Sequence, residues 1–118
     1  MEKNITLEKS KKFAVRIIRL YQYLKDEKKE QVLGKQLLGS GTSIAANVRE
    51  AHHSMSKAEF RVKMNIALKE ASETELWLEL LSETDYISKE QFTSIYADCN
   101  ELNRLLIKII KTTNKNLN

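Results

Sequence analysis

Proline is absent from this chain and glycine is scarce, with three glycines among 118 residues. Strands and hairpins depend on these residues at their turns, so their scarcity argues against a β-rich fold. A chain of this length is most simply one domain, here residues 1–118, with one hydrophobic core. We therefore expect an all-α protein.

Cysteine and long apolar runs are also scarce. Cys99 is the single cysteine, so no intramolecular disulfide can form, which is typical of proteins in a reducing compartment. The N-terminal sequence MEKNITLEKSKK is charged and has no apolar signal-peptide core. No segment has the roughly 18–20 consecutive apolar residues that cross a membrane. We expect a soluble, cytoplasmic protein without membrane contact.

Charge is abundant but unevenly distributed. Residues 1–35 carry ten basic and five acidic side chains, and residues 36–69 carry five and two. Residues 70–101 reverse this balance with one basic and nine acidic side chains, whereas residues 102–118 carry four basic and no acidic ones. This uneven distribution of charge is more informative about binding partners than the net charge of +4.

The spacing of apolar residues predicts four helices, at about 7–25, 30–51, 57–84 and 89–112. Capping boxes of the S-x-x-E/Q type begin the third helix at Ser56 and the fourth at Ser88. Because the connections are short, successive helices must run antiparallel, which gives an up-down-up-down four-helix bundle. The first and third turns then lie at one end of the bundle, and the second turn lies at the other with the two termini. The acidic block of residues 70–101 surrounds the third turn at residues 84–88, whereas basic residues cluster at the end that holds the second turn at residues 52–56.

The uncharged stretch QLLGSGTSIAANV, residues 36–48, could be a loop, a phosphate-binding turn or a helix. Apolar residues keep helical phase through its two glycines, which favours a continuous second helix. Glycine inside a helix costs about 1 kcal/mol relative to alanine. Close packing must therefore offset that cost.

The sequence offers little for catalysis. His52 and His53 are adjacent and diverge on a helix or turn, and no Glu-x-x-His motif of a di-iron bundle occurs. A phosphate-binding G-x-x-x-x-G-K-[ST] motif is also missing. Glu70, Glu73 and Glu75 are most simply a solvated helix face. We expect no enzymatic activity, no cofactor and no metal.

Two stripes of basic residues at helical spacing suggest contact with nucleic acid. Cations along one face can follow a phosphate backbone, and a tyrosine among them can stack on a base. The alternatives are solvated faces, or ion pairs with Glu75, Glu79 and Glu83 of a neighbouring subunit. The candidate residues are Lys12, Arg16, Arg19 and Tyr23 on the first helix, Lys57 and Arg61 on the third, and Arg104, Lys108, Lys111 and Lys115 on the fourth.

A second candidate surface consists of apolar and small residues that point away from the predicted core. A monomeric bundle would place charges there, and small residues allow another backbone to approach closely. The alternative is a sparsely charged face that stays in solvent. The predicted homo-oligomer contact comprises Val15, Ile18, Gly39, Thr42, Ser43 and Ala46. Trp77 fits either the core or an interface.

The segments SGTSIAANVREA (40–51), SKAEF (56–60), NIALKEASETELWLELL (65–81) and DYIS (85–88) resemble a known family. This is the bacterial four-helix-bundle family of 23S rRNA intervening-sequence proteins. The resemblance runs from about residue 13 to 110. It implies an up-down bundle that assembles into a ring-like homopentamer, without an established catalytic activity.

A related branch, the accessory variability proteins of diversity-generating retroelements, is similar in fold. Proteins of that branch bind nucleic acid and a reverse transcriptase, so the likeness implies RNA or a reverse-transcriptase-like protein as a partner. Ser43, Asn47 and Glu50 match the family motif, and we assign them to packing and hydrogen bonding of the second helix.

Two functional hypotheses follow. The first is a non-enzymatic, homo-oligomeric bundle whose basic end binds nucleic acid, RNA in particular, as an accessory or ribonucleoprotein-associated factor. The second is a protein-interaction scaffold that docks a partner through the acidic patch of the third helix, residues 70–83, with no nucleic-acid role.

Overall fold

The structure of the protein, a computed structural model, describes residues 4–117. Over this range the chain forms four α-helices and no strand: α1 (Ile5–Asp26), α2 (Val32–His52), α3 (Lys57–Glu83) and α4 (Lys89–Leu117). The all-helical prediction is confirmed. The first three helices begin and end within two residues of the predicted bounds, whereas α4 continues to residue 117 instead of ending near 112.

Side chains fix where the helices begin. Ser88 and Gln91 form a reciprocal capping box. The backbone N–H of Gln91 donates to the Ser88 hydroxyl at 3.1 Å, and the backbone N–H of Ser88 donates to the side-chain Oε1 of Gln91 at 2.7 Å. Ser56 accepts from the Glu59 N–H at 3.1 Å and begins α3. Asn4 accepts from the Leu7 N–H at 3.0 Å, an N-cap that apolar spacing did not indicate, and α1 begins two residues early as a result.

Contacts between successive helices run in opposite sequence directions, as an up-down bundle requires. Between α2 and α3, the Thr74 hydroxyl donates to Ser40 Oγ at 2.8 Å, and Lys63 Nζ pairs with Glu50 at 2.9 Å. Between α3 and α4, the Tyr96 hydroxyl donates to Glu79 at 2.9 Å, while the opposite ends are joined by Arg61 and Asn114. In each pair of helices, a later residue on one therefore meets an earlier residue on the other.

The helices follow one another around the bundle. α2 packs on α1 and α3, α3 packs on α4, and α1 meets α4 along a thinner seam, while the backbones of the diagonal pairs stay farther apart within the described range. The core is apolar apart from a few hydroxyls, such as those of Ser40 and Thr74. Its largest fully buried side chains include Phe13, Ile17, Leu24, Leu37, Ile44, Met64, Leu78, Leu81, Leu102 and Leu106.

The uncharged stretch of residues 36–48 lies inside α2, so the helix interpretation is confirmed. A Cβ placed on Gly41 would lie 2.7 Å from Ile17 Cγ1, and one on Gly34 would lie 3.1 Å from Tyr21 Cδ1. These two glycines therefore let α1 and α2 approach closely. Gly39 differs, because a Cβ there would meet nothing within 4 Å.

None of the described helices combines the length and the apolar character needed to span a bilayer.

Candidate nucleic-acid interface

The basic stripe of α1 faces the acidic N-terminal half of α4. Arg16 Nη1 lies 2.7 Å from Asp98 Oδ2, and the same guanidinium donates to the backbone and side-chain oxygens of Ser94 at 3.3 and 3.0 Å. Lys9 pairs with Glu101 at 2.9 Å. The structure thus places part of the predicted phosphate-binding stripe against carboxylates of the same chain.

The other members of the α1 stripe remain more open. Lys12 and Arg19 are exposed, and Lys12 borders the hollow that contains Asp98 and Glu101. Tyr23 is half-buried beside a cavity of about 320 Å³ whose lining also includes Arg16 and Arg19. A tyrosine beside arginines suits base stacking, but the neighbouring carboxylates lower the positive potential along α1.

The basic stripe of α4 has a different environment. Arg104, Lys108, Lys111 and Lys115 are all exposed. The ion pairs among described side chains join Lys9 to Glu101, Arg16 to Asp98 and Lys63 to Glu50, and none of them involves this stripe. No described carboxylate therefore pairs with these four cations, and they are available to an anionic partner.

The two candidate cations of α3 lie at the same end of the bundle as the α4 stripe. Arg61 Nη1 donates to Asn114 Oδ1 at 3.3 Å, which ties the first turns of α3 to the end of α4. Lys57 is exposed at the first position of α3. His52, the last residue of α2, lies across the turn from α3, and its ring meets Phe60 edge-on at a centroid distance of 6.3 Å. The structure brings these cations and the α4 stripe together at one end.

The pairing of Arg16 with Asp98 was missed by the stripe argument, although a signal for it exists in the sequence. Antiparallel packing places α1 beside α4, and residues 89–101 belong to the acidic block of the chain. Charge and topology considered together predict that α1 lies against carboxylates. Spacing on a single helix cannot show this, because it contains no information on the neighbouring helix.

The predicted oligomer contact lies on the outside of the chain. Val15 and Ile18 are 51% and 40% exposed, and Gly39 and Ala46 are also exposed. Thr42 and Ser43 are half-exposed, and their hydroxyls each donate at 2.7 Å to carbonyl oxygens of Leu38 and Gly39 in their own helix. The hydroxyl groups on this surface therefore already have hydrogen-bond partners within the chain. Whether another subunit covers it stays a prediction.

Within the chain, the other residues of the family motif bond as expected. Asn47 Nδ2 donates to the Ser43 carbonyl oxygen at 2.8 Å, and Glu50 forms the ion pair with Lys63 that joins α2 to α3. Trp77, which the sequence left open, is half-buried and packs against the core.

Two carboxylates of the acidic patch are engaged inside the chain. Glu79 accepts from the Tyr96 hydroxyl, and Glu75 accepts from the side-chain amides of Asn100 and Asn103. Burial, followed by the hydrogen bond to Glu79, raises the pKa of Tyr96. Glu75 and Glu79 thus join α3 to α4 within the chain. Docking of a partner on this patch, or ion pairs with another subunit, stays a prediction.

Two further groups have shifted pKa values. Burial raises the pKa of the Cys99 thiol to about 12, with smaller contributions from Glu75 and Asp98, so the thiol stays protonated and unreactive at neutral pH. Burial and the nearby charge of Glu73 raise the pKa of Glu70. Among the described residues, no cluster of three or more His, Cys, Asp and Glu side chains is placed to hold a metal ion.

These features define the class of protein: a small antiparallel four-helix bundle with one strongly basic end. More particularly, the chain belongs to the family of 23S rRNA-intervening sequence proteins, since the family's sequence pattern matches residues 2–108. The resemblance noted in the sequence is thereby confirmed.

A solved structure supports the same assignment. The chain is 58% identical to a protein of unknown function from the S23 ribosomal protein family of Bacteroides thetaiotaomicron, whose crystal structure superposes with a TM-score of 0.90. The match covers 91% of this chain and 99% of that one. A search of the curated proteins gave no match.

Proposed function

We propose that this protein is a non-enzymatic, homo-oligomeric bundle, a pentameric ring, whose basic end binds nucleic acid as an accessory or ribonucleoprotein-associated factor. RNA is the nucleic acid we propose because the family is named for 23S rRNA and the solved neighbour for a ribosomal protein. The ring is what resemblance to this family implies, and the exposed apolar surface of α1 and α2 supports it.

One observation carries the nucleic-acid proposal: the α4 stripe is exposed and makes no ion pair with a described side chain. Its residues recur at positions 104, 108, 111 and 115, so their side chains share one face along about 17 Å of helix at 1.5 Å per residue. Such a row can neutralise several consecutive phosphates and release their counterions.

The α1 stripe has a secondary place in this proposal. Within the stripe, Arg16 already has a carboxylate partner, so a phosphate would have to compete with Asp98, and the neighbouring Lys9 is paired with Glu101. Both pairs are partly exposed, and exposed pairs contribute only about 0–1 kcal/mol each. RNA could therefore recruit α1 after it binds α4, with Tyr23 available for stacking.

The test is a triple charge reversal, Arg104→Glu, Lys108→Glu and Lys111→Glu. We expect binding of a fluorescent RNA to weaken roughly 100-fold or more at about 50 mM salt, because phosphate contacts are lost and repulsion is added. The wild type should also show a steep fall in affinity as salt increases, and the triple variant a shallower one.

A matched control is Lys28→Glu, Lys29→Glu and Lys89→Glu, which changes the net charge equally at the opposite, exposed end of the bundle. This variant should retain most of the RNA affinity. An equal loss of RNA affinity in both variants would show that binding depends only on overall charge. Wild-type affinity in the α4 variant would refute the proposal.

A further inference from the structure

A cavity of about 570 Å³ lies at the end of the bundle that holds the first and third turns. Lys28, from the first turn, and residues 85–88, from the third turn, both line it. Its volume is within the roughly 300–1,000 Å³ of small-molecule sites in proteins. We call it the turn cavity.

Three aromatic side chains border the turn cavity. Tyr23 comes from α1, Tyr86 from the turn between α3 and α4, and Phe92 from the first turn of α4. Each is half-buried and packs against the core, so the three rings are held in place. Phe92 is also stacked on Tyr96 at a centroid distance of 4.7 Å. Fixed aromatic rings beside open space suit the stacking of a planar aromatic ligand.

Two cations line the same cavity. Lys28 and Lys89 are exposed, and the ion pairs among described side chains involve neither of them. An ammonium group forms charge-assisted hydrogen bonds with phosphate oxygens. The lysines and the aromatic rings together favour a ligand that combines a planar aromatic group with a phosphate.

Several hydroxyl groups of the cavity wall are free to bond a ligand. Within residues 4–117, no hydrogen bond joins the hydroxyls of Tyr23, Tyr86 or Ser82 to another group of the chain, although all three residues line the cavity. Nearby hydroxyls differ, since Ser88 accepts from the backbone of Gln91 and Tyr96 donates to Glu79.

The turn that ends α3 adds a carboxylate to the cavity. The Asp85 N–H donates to the Ser82 carbonyl oxygen at 3.1 Å, and the Tyr86 N–H donates to the Leu81 carbonyl oxygen at 2.9 Å, which is a Schellman motif. Asp85 has a φ of 64°, a left-handed conformation in which this motif usually has glycine. Aspartate is thus less favourable than glycine for the turn, but its carboxylate can accept from a ribose hydroxyl or a base amino group.

We infer that the turn cavity binds a free nucleoside monophosphate, with the base against the aromatic rings, the phosphate on Lys28 and Lys89, and the nucleoside bonded to Asp85. The unpaired end of an RNA chain offers the same chemistry. It is disfavoured because Lys89 and Arg104 are about 22 Å apart along α4 at 1.5 Å per residue, with carboxylates at positions 90, 98 and 101 between them. The cavity is therefore separate from the α4 stripe.

Calorimetric titration with adenosine 5′-monophosphate (AMP) and with adenosine tests the role of the lysines. We expect the wild type to bind AMP at least about tenfold more tightly than adenosine, because the phosphate adds charge-assisted hydrogen bonds. In the Lys28→Gln, Lys89→Gln double variant, AMP should bind no more tightly than adenosine. The control Lys29→Gln, Lys69→Gln removes the same charge at exposed positions outside the cavity and should keep the tenfold ratio.

Asp85→Gly tests the carboxylate without a risk to the fold. It should weaken AMP and adenosine by the same factor, about fivefold, because one hydrogen bond to the nucleoside is lost. The midpoint of thermal unfolding should stay at or above that of the wild type, since glycine suits the left-handed φ at this position.

An absence of AMP binding, equal affinities of the wild type for AMP and adenosine, or a tenfold ratio in the lysine double variant would overturn the inference. Displacement of bound RNA by AMP would also overturn it, because the cavity would then hold the end of an RNA chain.

The site and the proposed function can fail independently. The Lys28→Glu, Lys29→Glu, Lys89→Glu chain should lose AMP binding while it retains RNA affinity, and the charge reversal of the α4 stripe should do the opposite. Loss of AMP binding in the α4 variant would contradict a separate site.

Discussion

At the scale of single residues, Gly39 and Gly41 show how position on a helix decides the role of a residue type. They lie two positions apart on α2, yet Gly41 is buried against Ile17 and Gly39 borders open space. Glycine lowers helix propensity at both positions. Only at Gly41 does packing within the chain, the close approach of α1, offset this loss.

Alanine substitutions should therefore act in opposite directions at these positions. Gly41→Ala gains about 1 kcal/mol of helix propensity but forces a Cβ into Ile17. Because overpacking costs about 1–3 kcal/mol, we expect a net loss of up to about 2 kcal/mol. Gly39→Ala should raise stability by about 1 kcal/mol. Urea unfolding would measure both in the Val15→Glu chain, where a charge in the predicted oligomer contact keeps subunit contacts from contributing; equal effects would contradict the packing assignment.

At the scale of helices, α1 and α4 carry similar basic spacing but differ in their surroundings. The α1 stripe lies against Asp98 and Glu101, whereas the α4 stripe extends beyond the acidic block. The thin seam between the two helices is bridged by these exposed ion pairs. The same pairs make part of α1 less available to an anion.

Removing the carboxylate that holds Arg16 should release this cation. We expect Asp98→Asn to raise RNA affinity about threefold to tenfold at low salt, because one more guanidinium can contact phosphate. Fluorescence anisotropy would measure the change. Glu90→Gln makes the same change in net charge at another exposed position of α4 and should have a smaller effect.

The gain should depend on Arg16 itself. In an Arg16→Gln background, Asp98→Asn should leave RNA affinity close to that of Arg16→Gln alone. A gain of the same size in both backgrounds would show that Asp98 acts through general repulsion.

At the scale of the whole molecule, the two proposed surfaces are separate. The α4 stripe lies toward the end that also holds Lys57 and Arg61, whereas the predicted oligomer contact lies along the sides of α1 and α2. An assembly through the sides would present several α4 stripes together. An RNA long enough to reach several copies would then bind with avidity.

Disruption of the assembly should therefore weaken binding only for long RNA. We expect Val15→Glu to lower the affinity for a long RNA at least about tenfold, since linked sites gain effective concentration. An oligonucleotide of about six nucleotides, within the site size of one binding unit, should bind equally well. Ile5→Glu, at an exposed position outside the predicted oligomer contact, serves as the control. An equal loss for both lengths would place Val15 in the RNA surface itself.

Much of the fold follows from local patterns. Apolar spacing and the Ser56 and Ser88 capping boxes located the helices, because caps and periodicity act within a few residues. The N-cap at Asn4 and the extension of α4 to Leu117 were not predicted, since the apolar pattern does not reach either end. For the candidate site, exposure of the α4 stripe could be predicted from its position opposite the core residues Leu102 and Leu106.

The sequence determined the four helices, the uncharged stretch 36–48 in the middle of α2 and the segregation of acidic from basic blocks, because these properties depend on residue type and spacing alone. The tertiary structure decided which charges meet: Arg16 with Asp98, Lys63 with Glu50, and Glu75 and Glu79 with polar groups of α4. It also decided that Gly41 is packed and Gly39 open. Such pairings depend on the neighbour that each helix face receives, and that neighbour is fixed only when the bundle closes.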